Sequence, residues 1–174
     1  MNVDWQPTLV GELIELRPLR PDDWDALFAV ASDPLIWEQH PDRLRHQEDV
    51  FREFFRVALE TQSALVAIDR SDGQIIGSSR YYGHDSVARE VEIGWSFLAR
   101  SHWGGRYNGE MKALMLAHAF QFVDHVIFVI GPDNIRSQRA VQNIGAVLAG
   151  TRDVRGRESV VYRLSKVPSA SATT

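Results

Sequence analysis

The sequence predicts an α+β fold of mixed α/β character, a mostly antiparallel sheet of about seven strands flanked by about four helices. Three observations carry that prediction. The 174 residues suffice for one hydrophobic core but not for two. The hydrophobic share is 44% and the charged share 24%, the balance of a chain that folds rather than one that stays disordered. Short apolar stretches of period two alternate with longer ones at helical spacing, with no internal repeat or linker. A single domain is therefore expected over residues 1–167. Beyond it, the run from Pro168 to Thr174 reads as a low-complexity, disordered tail.

Taken in order, the alternation from Glu12 to Arg17 predicts a first strand. Arg20-Pro21-Asp22-Asp23 then opens a helix, with proline early and acids in its first turn. Trp24, Leu27, Phe28 and Ala31 form its buried face, and Asp33-Pro34 stops it. After a loop through Trp37 and His40, a second helix is predicted from about residue 46 to 61. There Val50, Phe51, Phe54, Phe55, Val57 and Ala58 recur at helical spacing. Strands at 64–69 and 74–82 are joined by Ser71-Asp72-Gly73, a hairpin signal. Another strand covers 90–98. Met111, Leu114, Met115, Ala119 and Phe122 mark a helix from about 107 to 123. Residues 126–130 make a short, continuously apolar strand of the kind found at a sheet centre. A short helix at 135–144 ends at Gly145, and 147–154 with 159–164 form a last hairpin.

Composition removes several functions. Cysteine is absent, which excludes disulfides, thiolate metal sites and cysteine nucleophiles. The net charge of −4 argues against a protein held to duplex nucleic acid by many phosphate contacts. No stretch approaches the roughly 18 apolar residues of a membrane span. The start, Met1 to Trp5, lacks the basic-then-apolar pattern of a signal peptide, so a cytoplasmic protein without membrane or nucleic-acid partners is expected. His40 and His46 are not in an H-E-x-x-H frame, and His118 and His125 lack a third partner, so no metal is expected. Of the 19 basic residues only Lys112 and Lys166 are lysine. Arginine's planar fork suits phosphate better than an ammonium does.

Two segments carry chemistry. The first, Ala99 to Glu110, joins a strand to the start of an amphipathic helix through Trp103-Gly104-Gly105-Arg106-Tyr107-Asn108. Its glycines permit a backbone whose N–H groups point one way, the helix start adds partial positive charge, and Arg100 and Arg106 flank it. This is an anion cradle suited to a pyrophosphate, unless the glycines simply reverse the chain. In the second, Ile130 to Arg139, a buried strand ends and a helix begins, with Asn134 as N-cap and Ser137 three residues into it. Such residues satisfy helix N–H groups without any ligand.

The succession strand, glycine loop, helix, strand, Asn-x-x-Ser, helix, glycine resembles the GCN5-related N-acetyltransferases over about residues 9 to 165. Within them it is most similar to the branch of the ribosomal-protein N-terminal acetyltransferases. Leu16-Arg17-Pro18-Leu19-Arg20-Pro21-Asp22-Asp23, Ile93-Gly94-Trp95, Trp103-Gly104 and Gly145 carry that likeness. The resemblance implies a sheet splayed between strand 90–98 and strand 126–130, with acetyl-CoA inserted in the opening. Backbone groups from Trp103 to Asn108, with Gly104, Gly105 and Tyr107, would take the pyrophosphate. Asn134 and Ser137 would face the pantetheine or the thioester, and Arg100, Arg106, Arg136 and Arg139 are candidates for the phosphates. Two departures stand out. The second glycine of the family loop is replaced by Arg106, which would either crowd the diphosphate or grip it. Where many members carry a tyrosine acid, seven residues after Asn134, this chain has Val141.

The implied reaction is direct attack of an amine on the thioester, with a base to deprotonate the ammonium. Glu92 is the first candidate and His84 the second, while Ser137 could hydrogen-bond the leaving sulfur. Trp37, Glu38, His40, Tyr82 and Trp95 are candidate acceptor contacts. Aromatic walls with a carboxylate suit a cationic amine, although both tryptophans could equally be core. The acceptor is a small-molecule amine or a protein N-terminus. A CoA-binding sensor without transferase activity, or a partner-binding domain using the last hairpin, remain the alternatives. Exposed aromatic residues on the strands are compatible with a homodimer.

Overall fold

The strand that periodicity missed is the shortest. In the computed structural model, which describes residues 3–167, Leu9–Val10 (β1) fold back on Ile14–Pro18 (β2) as an antiparallel pair. The sheet therefore has eight strands rather than about seven. Two residues are too few to show an alternation. What holds them is tertiary: the Glu110 carboxylate accepts the backbone N–H groups of Glu12, Leu13 and Ile14 at 2.8–2.9 Å. Gly11 permits that approach, since a Cβ there would lie 2.5 Å from the Glu110 side chain. The segment expected to be a disordered tail lies outside the described residues.

The remaining elements follow the predicted order. They are α1 (Trp24–Ala31), α2 (Glu48–Glu60), β3 (Ala64–Asp69), β4 (Ile75–Asp85), β5 (Glu90–Leu98), α3 (Arg106–Ala119), β6 (His125–Ile130), α4 (Ile135–Asn143), β7 (Val147–Val154) and β8 (Arg157–Ser165). The strands lie side by side as β1-β2-β3-β4-β5-β6-β8-β7, and only β5 and β6 run parallel. No helix among the described residues is long and apolar enough to cross a membrane.

Strand alternation divides the core into two layers. One face carries Leu16, Leu65, Tyr81, Val91 and Ile93 against Met111, Met115 and Ala119 of α3. The other carries Val66 and Phe97 against Leu27 of α1 and Phe51, Phe55 and Ala58 of α2. Tyr81 donates its hydroxyl to the Met115 carbonyl at 2.7 Å, which fixes α3 on the sheet.

The site is set by one irregularity at the sheet centre. Strands β5 and β6 pair only at Glu90, Val91 and Glu92, facing His125, Val126 and Ile127. Three residues on, Trp95 has a φ of 51°, and β5 gains one residue against β4 between the Arg80–Gly94 and Ser78–Phe97 pairs. This β-bulge bends β5 and reverses its parity. Val91 and Ile93 face α3 before the bulge, and Leu98 does so after it. Beyond Glu92, β5 has no ladder partner on its β6 side. The sheet opens there as a wedge.

Candidate active site

Helix α3 starts at the open end of the wedge. Gly104 and Gly105 have φ values of 107° and 102°, a region that favours glycine over residues with a Cβ. Gly105 is the N-cap, no side chain caps the helix, and its first internal bond runs from Gly109 N–H to the Gly105 carbonyl at 2.8 Å. The N–H groups of Arg106, Tyr107 and Asn108 thus lead the helix with no intrahelical acceptor. An uncapped helix start with its dipole is the arrangement that suits an anion. The loop is anchored below. Asp69 at the end of β3 accepts from Tyr107 at 3.1 Å and contacts His102 Nε2 at 3.0 Å. The Ser71 backbone N–H first, with help from these side chains, holds the Asp69 carboxyl down at about 2.

The four arginines expected at the phosphates have different fates. Arg106 and Arg139 are exposed, and no ion pair occupies either among the described residues. Arg100 is tied to Asp33 at 2.5 Å, beside the end of α1. Arg136 lies 4.1 Å from the centre of the Trp103 ring and donates to the Ile36 carbonyl at 2.9 Å. Glu38 lies 3.8 Å from Arg136. These contacts join the glycine loop to the segment between α1 and α2.

Helix α4 begins differently. The Asn134 carboxamide oxygen accepts the Ser137 N–H at 3.2 Å, and Gln39 Oε1 accepts the Arg136 N–H at 3.1 Å. Val141, where family members often carry tyrosine, is buried in the core.

Glu92 is the last residue of β5 to pair with β6, and it is 9% exposed. Its carboxylate folds over Gly94, with Oε1 3.1 Å from where a Cβ would stand. The nearest cation, Arg152 of β7, is 3.9 Å away. Burial pushes the carboxyl up to about 7, and Arg152 only partly opposes that. On the same face, Tyr82 lies opposite Glu92 in the ladder and its ring packs edge-on against Trp95 at 5.1 Å. Glu90, two residues out, is held by Arg163 at 2.6 Å.

Two other candidates point elsewhere. His84 packs against Trp5 at 5.2 Å, on the α3 side with Tyr81 and His118 rather than beside Glu92. Gly83, at φ 60°, and a register shift turn the end of β4 that way. Trp37 is core, with its indole N–H on the Ala31 carbonyl at 2.8 Å. His40, half-buried, packs edge-on against Trp37 at 5.7 Å and contacts Arg45 through Nε2 at 3.1 Å; burial first, then the Arg45 charge, lowers its pKa to about 3, so it stays neutral.

Three buried cations at the wedge were not singled out from the sequence. Lys112 of α3 is 5% exposed and donates to Ser96 at 2.5 Å, which in turn contacts Ser79 at 2.7 Å. Burial lowers it to about 7. Its signal was positional: Lys112, Met115, Leu116 and Ala119 share one helical stripe. On the opposite face Arg45 and Arg80 flank Phe54 at 4.9 and 5.0 Å. Arg80 alternates with Ser78 on an otherwise buried strand, a pattern that marks an inward-facing arginine. No group of metal-ligating side chains occurs among the described residues.

The site is thus a mixed sheet wedged open at one parallel pair, with an uncapped glycine-led helix at the opening. Residues 14–147 match the acetyltransferase (GNAT) domain family, and the chain belongs to it. Acetyl transfer is that family's activity. No curated protein matches the chain. Among solved structures, a GCN5-related N-acetyltransferase from Brucella melitensis superposes with a TM-score of 0.80 at 18% identity, covering 92% of this chain and 79% of that one. An acetyltransferase of the GNAT family from Bacillus anthracis gives 0.76 at 17%, over 91% and 98%. RimJ of Mycobacterium smegmatis, in complex with CoA-disulfide, gives 0.71 at 21%, over 98% and 93%. At these identities the likeness is one of fold.

Proposed function

We propose that this protein transfers the acetyl group of acetyl-CoA to a primary amine by direct attack, with Glu92 as the base. The observation that carries this reading is a carboxyl buried at the mouth of the wedge and poised near neutral pH. A general base works best with a pKa close to the operating pH. A module that only binds CoA gains nothing from burying an unneutralised carboxylate, which disfavours folding.

Acetyl-CoA supplies the acyl group as an activated thioester. The residues present fit it: free N–H groups of Arg106, Tyr107 and Asn108 suit a diphosphate, and exposed Arg106 and Arg139 add charge beside it. The unladdered edge of β5 offers strand-like hydrogen bonds to an extended arm. Trp103 and Arg100 brace the loop from either side. Arg106, at the first helical position with an exposed side chain, grips rather than crowds. Asn134 presents Ser137, whose hydroxyl hydrogen-bonds the leaving sulfur in place of the tyrosine that Val141 replaces. Glu92 takes the ammonium proton, and the freed lone pair forms the C–N bond as the C–S bond breaks. The electron pair leaves on sulfur, which takes up a proton from water. The acceptor, a small molecule or a protein N-terminus, lies against Tyr82 and Trp95.

Calorimetry with acetyl-CoA, followed by thiol release over a panel of amines, tests this. Binding and release are expected, with Glu92→Gln lowering kcat/KM about 100-fold or more. Absence of binding at millimolar acetyl-CoA would refute the reading. So would an unaltered rate and pH profile in Glu92→Gln.

A further inference from the structure

The acceptor side of the wedge holds more positive charge than the acetyl-transfer reading requires. Arg80 is 3% exposed, and its side chain makes no hydrogen bond or ion pair among the described residues. Its guanidinium is stacked between Phe54 at 5.0 Å and Trp95 at 4.8 Å. Those rings compensate only part of the desolvation of a cation. Both flat faces are covered, so only the edges, where the N–H donors lie, remain free.

Its place in the ladder relates it to Glu92. Arg80 stands directly opposite Gly94, and the Glu92 carboxylate folds over that same glycine. The two charged groups therefore flank a position without a side chain, on one face of neighbouring strands. They nonetheless form no ion pair, and Glu92 has only Arg152 near it. Residues two apart on a strand are separated by about 7 Å, the span of a small molecule with charges at both ends.

The surroundings have the same sign. Arg45 sits on the other side of Phe54, but its fork is occupied by Asp42 at 2.7 Å and by His40 at 3.1 Å. From the last hairpin, Arg157 approaches Asp42 at 3.5 Å and Arg155 acts by charge on Arg45. With Arg152, five arginines surround two carboxylates, Asp42 and Glu92. A polycation is repelled by such a mouth, whereas an anion is drawn in. This narrows the sequence expectation of a site suited to a cationic amine to an amine that also carries negative charge. Aromatic rings are present as expected, but arginines already cover them.

We infer that the acceptor is an aminocarboxylate, its carboxylate held by Arg80 and its amine delivered to Glu92. The inference rests on the acetyl-transfer reading and narrows it. One open fork matches one carboxylate, held by two parallel hydrogen bonds. Arg80 is a specificity residue here; it touches the acceptor, not the breaking bond.

The test compares acceptors that differ only at the carboxylate. Free amino acids, their α-amides and spermidine are assayed by thiol release from acetyl-CoA. Amidated dipeptides, Ala-Asp against Ala-Asn, separate a free amino acid from an acidic side chain as the source of the carboxylate. The acid of at least one matched pair is expected to exceed its neutral partner about 30-fold in kcat/KM, mainly through KM. Arg80→Met retains length and packing between the two rings, and should bring the ratio within about threefold. Arg80→Lys retains charge without the fork and should fall between. Acetyl-CoA binding by calorimetry shows whether each variant is folded, and the wild-type ratio decides even if one is not. Equal or faster turnover of amides and spermidine would overturn the inference while leaving acetyl transfer standing. An unchanged ratio in Arg80→Met would do the same. If acetyl-CoA binds but no amine in the panel is acetylated, both readings fail.

Discussion

Helices α3 and α4 follow the two strands that part at the wedge, and their first turns are completed in opposite ways. At α4 the Asn134 side chain and Gln39 accept the leading N–H groups, so the turn is satisfied by the protein itself. At α3 the N-cap is Gly105, no side chain reaches back, and the leading N–H groups have no intrahelical acceptor. An absent cap costs about 1 kcal/mol of helix stability, which a bound anion returns. On the proposed reading, the uncapped start takes the phosphates, while the capped start is fixed by the protein itself and presents Ser137 and Arg139 to the ligand.

That contrast can be broken. The largest effect is expected from Gly105→Val, which puts a β-branched residue at a φ of 102°. Acetyl-CoA affinity measured by calorimetry should fall about 100-fold as the first turn of α3 is rebuilt. An affinity close to wild type would show that the glycine turn is not the cradle. Arg106→Gly should weaken binding roughly fivefold and flatten its dependence on salt, because one exposed charge is lost. Unchanged or tighter binding would mean that Arg106 points away from the phosphates. Asn134→Ala should act chiefly on stability, lowering Tm by about 3 °C with less than a twofold change in affinity. A large loss of affinity without a fall in Tm would mean that the Asn134 side chain binds the ligand itself rather than capping α4.

The two faces of the wedge offer a second contrast, between buried groups of opposite charge type. Glu92 is raised from 4.5 to about 7, so its contribution to stability is complete below pH 4.5 and is lost as pH rises through 7. Lys112 is lowered from 10.5 to about 7, so its contribution is complete above pH 10.5 and is lost as pH falls through 7. Lys112→Met should therefore raise Tm more at pH 6 than at pH 10, and Glu92→Gln more at pH 9 than at pH 5. Thermal melts across that range check both signs.

Local pattern made most of the fold legible. The limits of β3, β5 and β7 agree with the sequence expectation to the residue, although β3 is buried almost throughout and β7 is exposed along its whole length, held by its pairing with β8. The Asn134 cap was legible because its partner is three residues away. Glu92 is a candidate base from the family resemblance and its place on β5, and the sequence carries no sign of its burial. What sequence did not show depends on distant partners. Nothing around Glu110 signals that its carboxylate closes the turn between β1 and β2 almost a hundred residues earlier. Arg100 read as a phosphate ligand because Asp33, which holds it, lies on another element. The bulge at Trp95 carries no glycine at the strained position, and it is the bulge that brings Trp95 beside Arg80.

The claim on which the rest depends is that Glu92 is the base of the reaction. The pH dependence of kcat/KM with a saturating concentration of acetyl-CoA, in wild type and in Glu92→Gln, tests it most directly. Activity in the wild type should rise through about pH 7 as the carboxyl ionises, and the Glu92→Gln profile should lose that step together with about 100-fold in rate. A Glu92→Gln enzyme that kept the step would contradict the account.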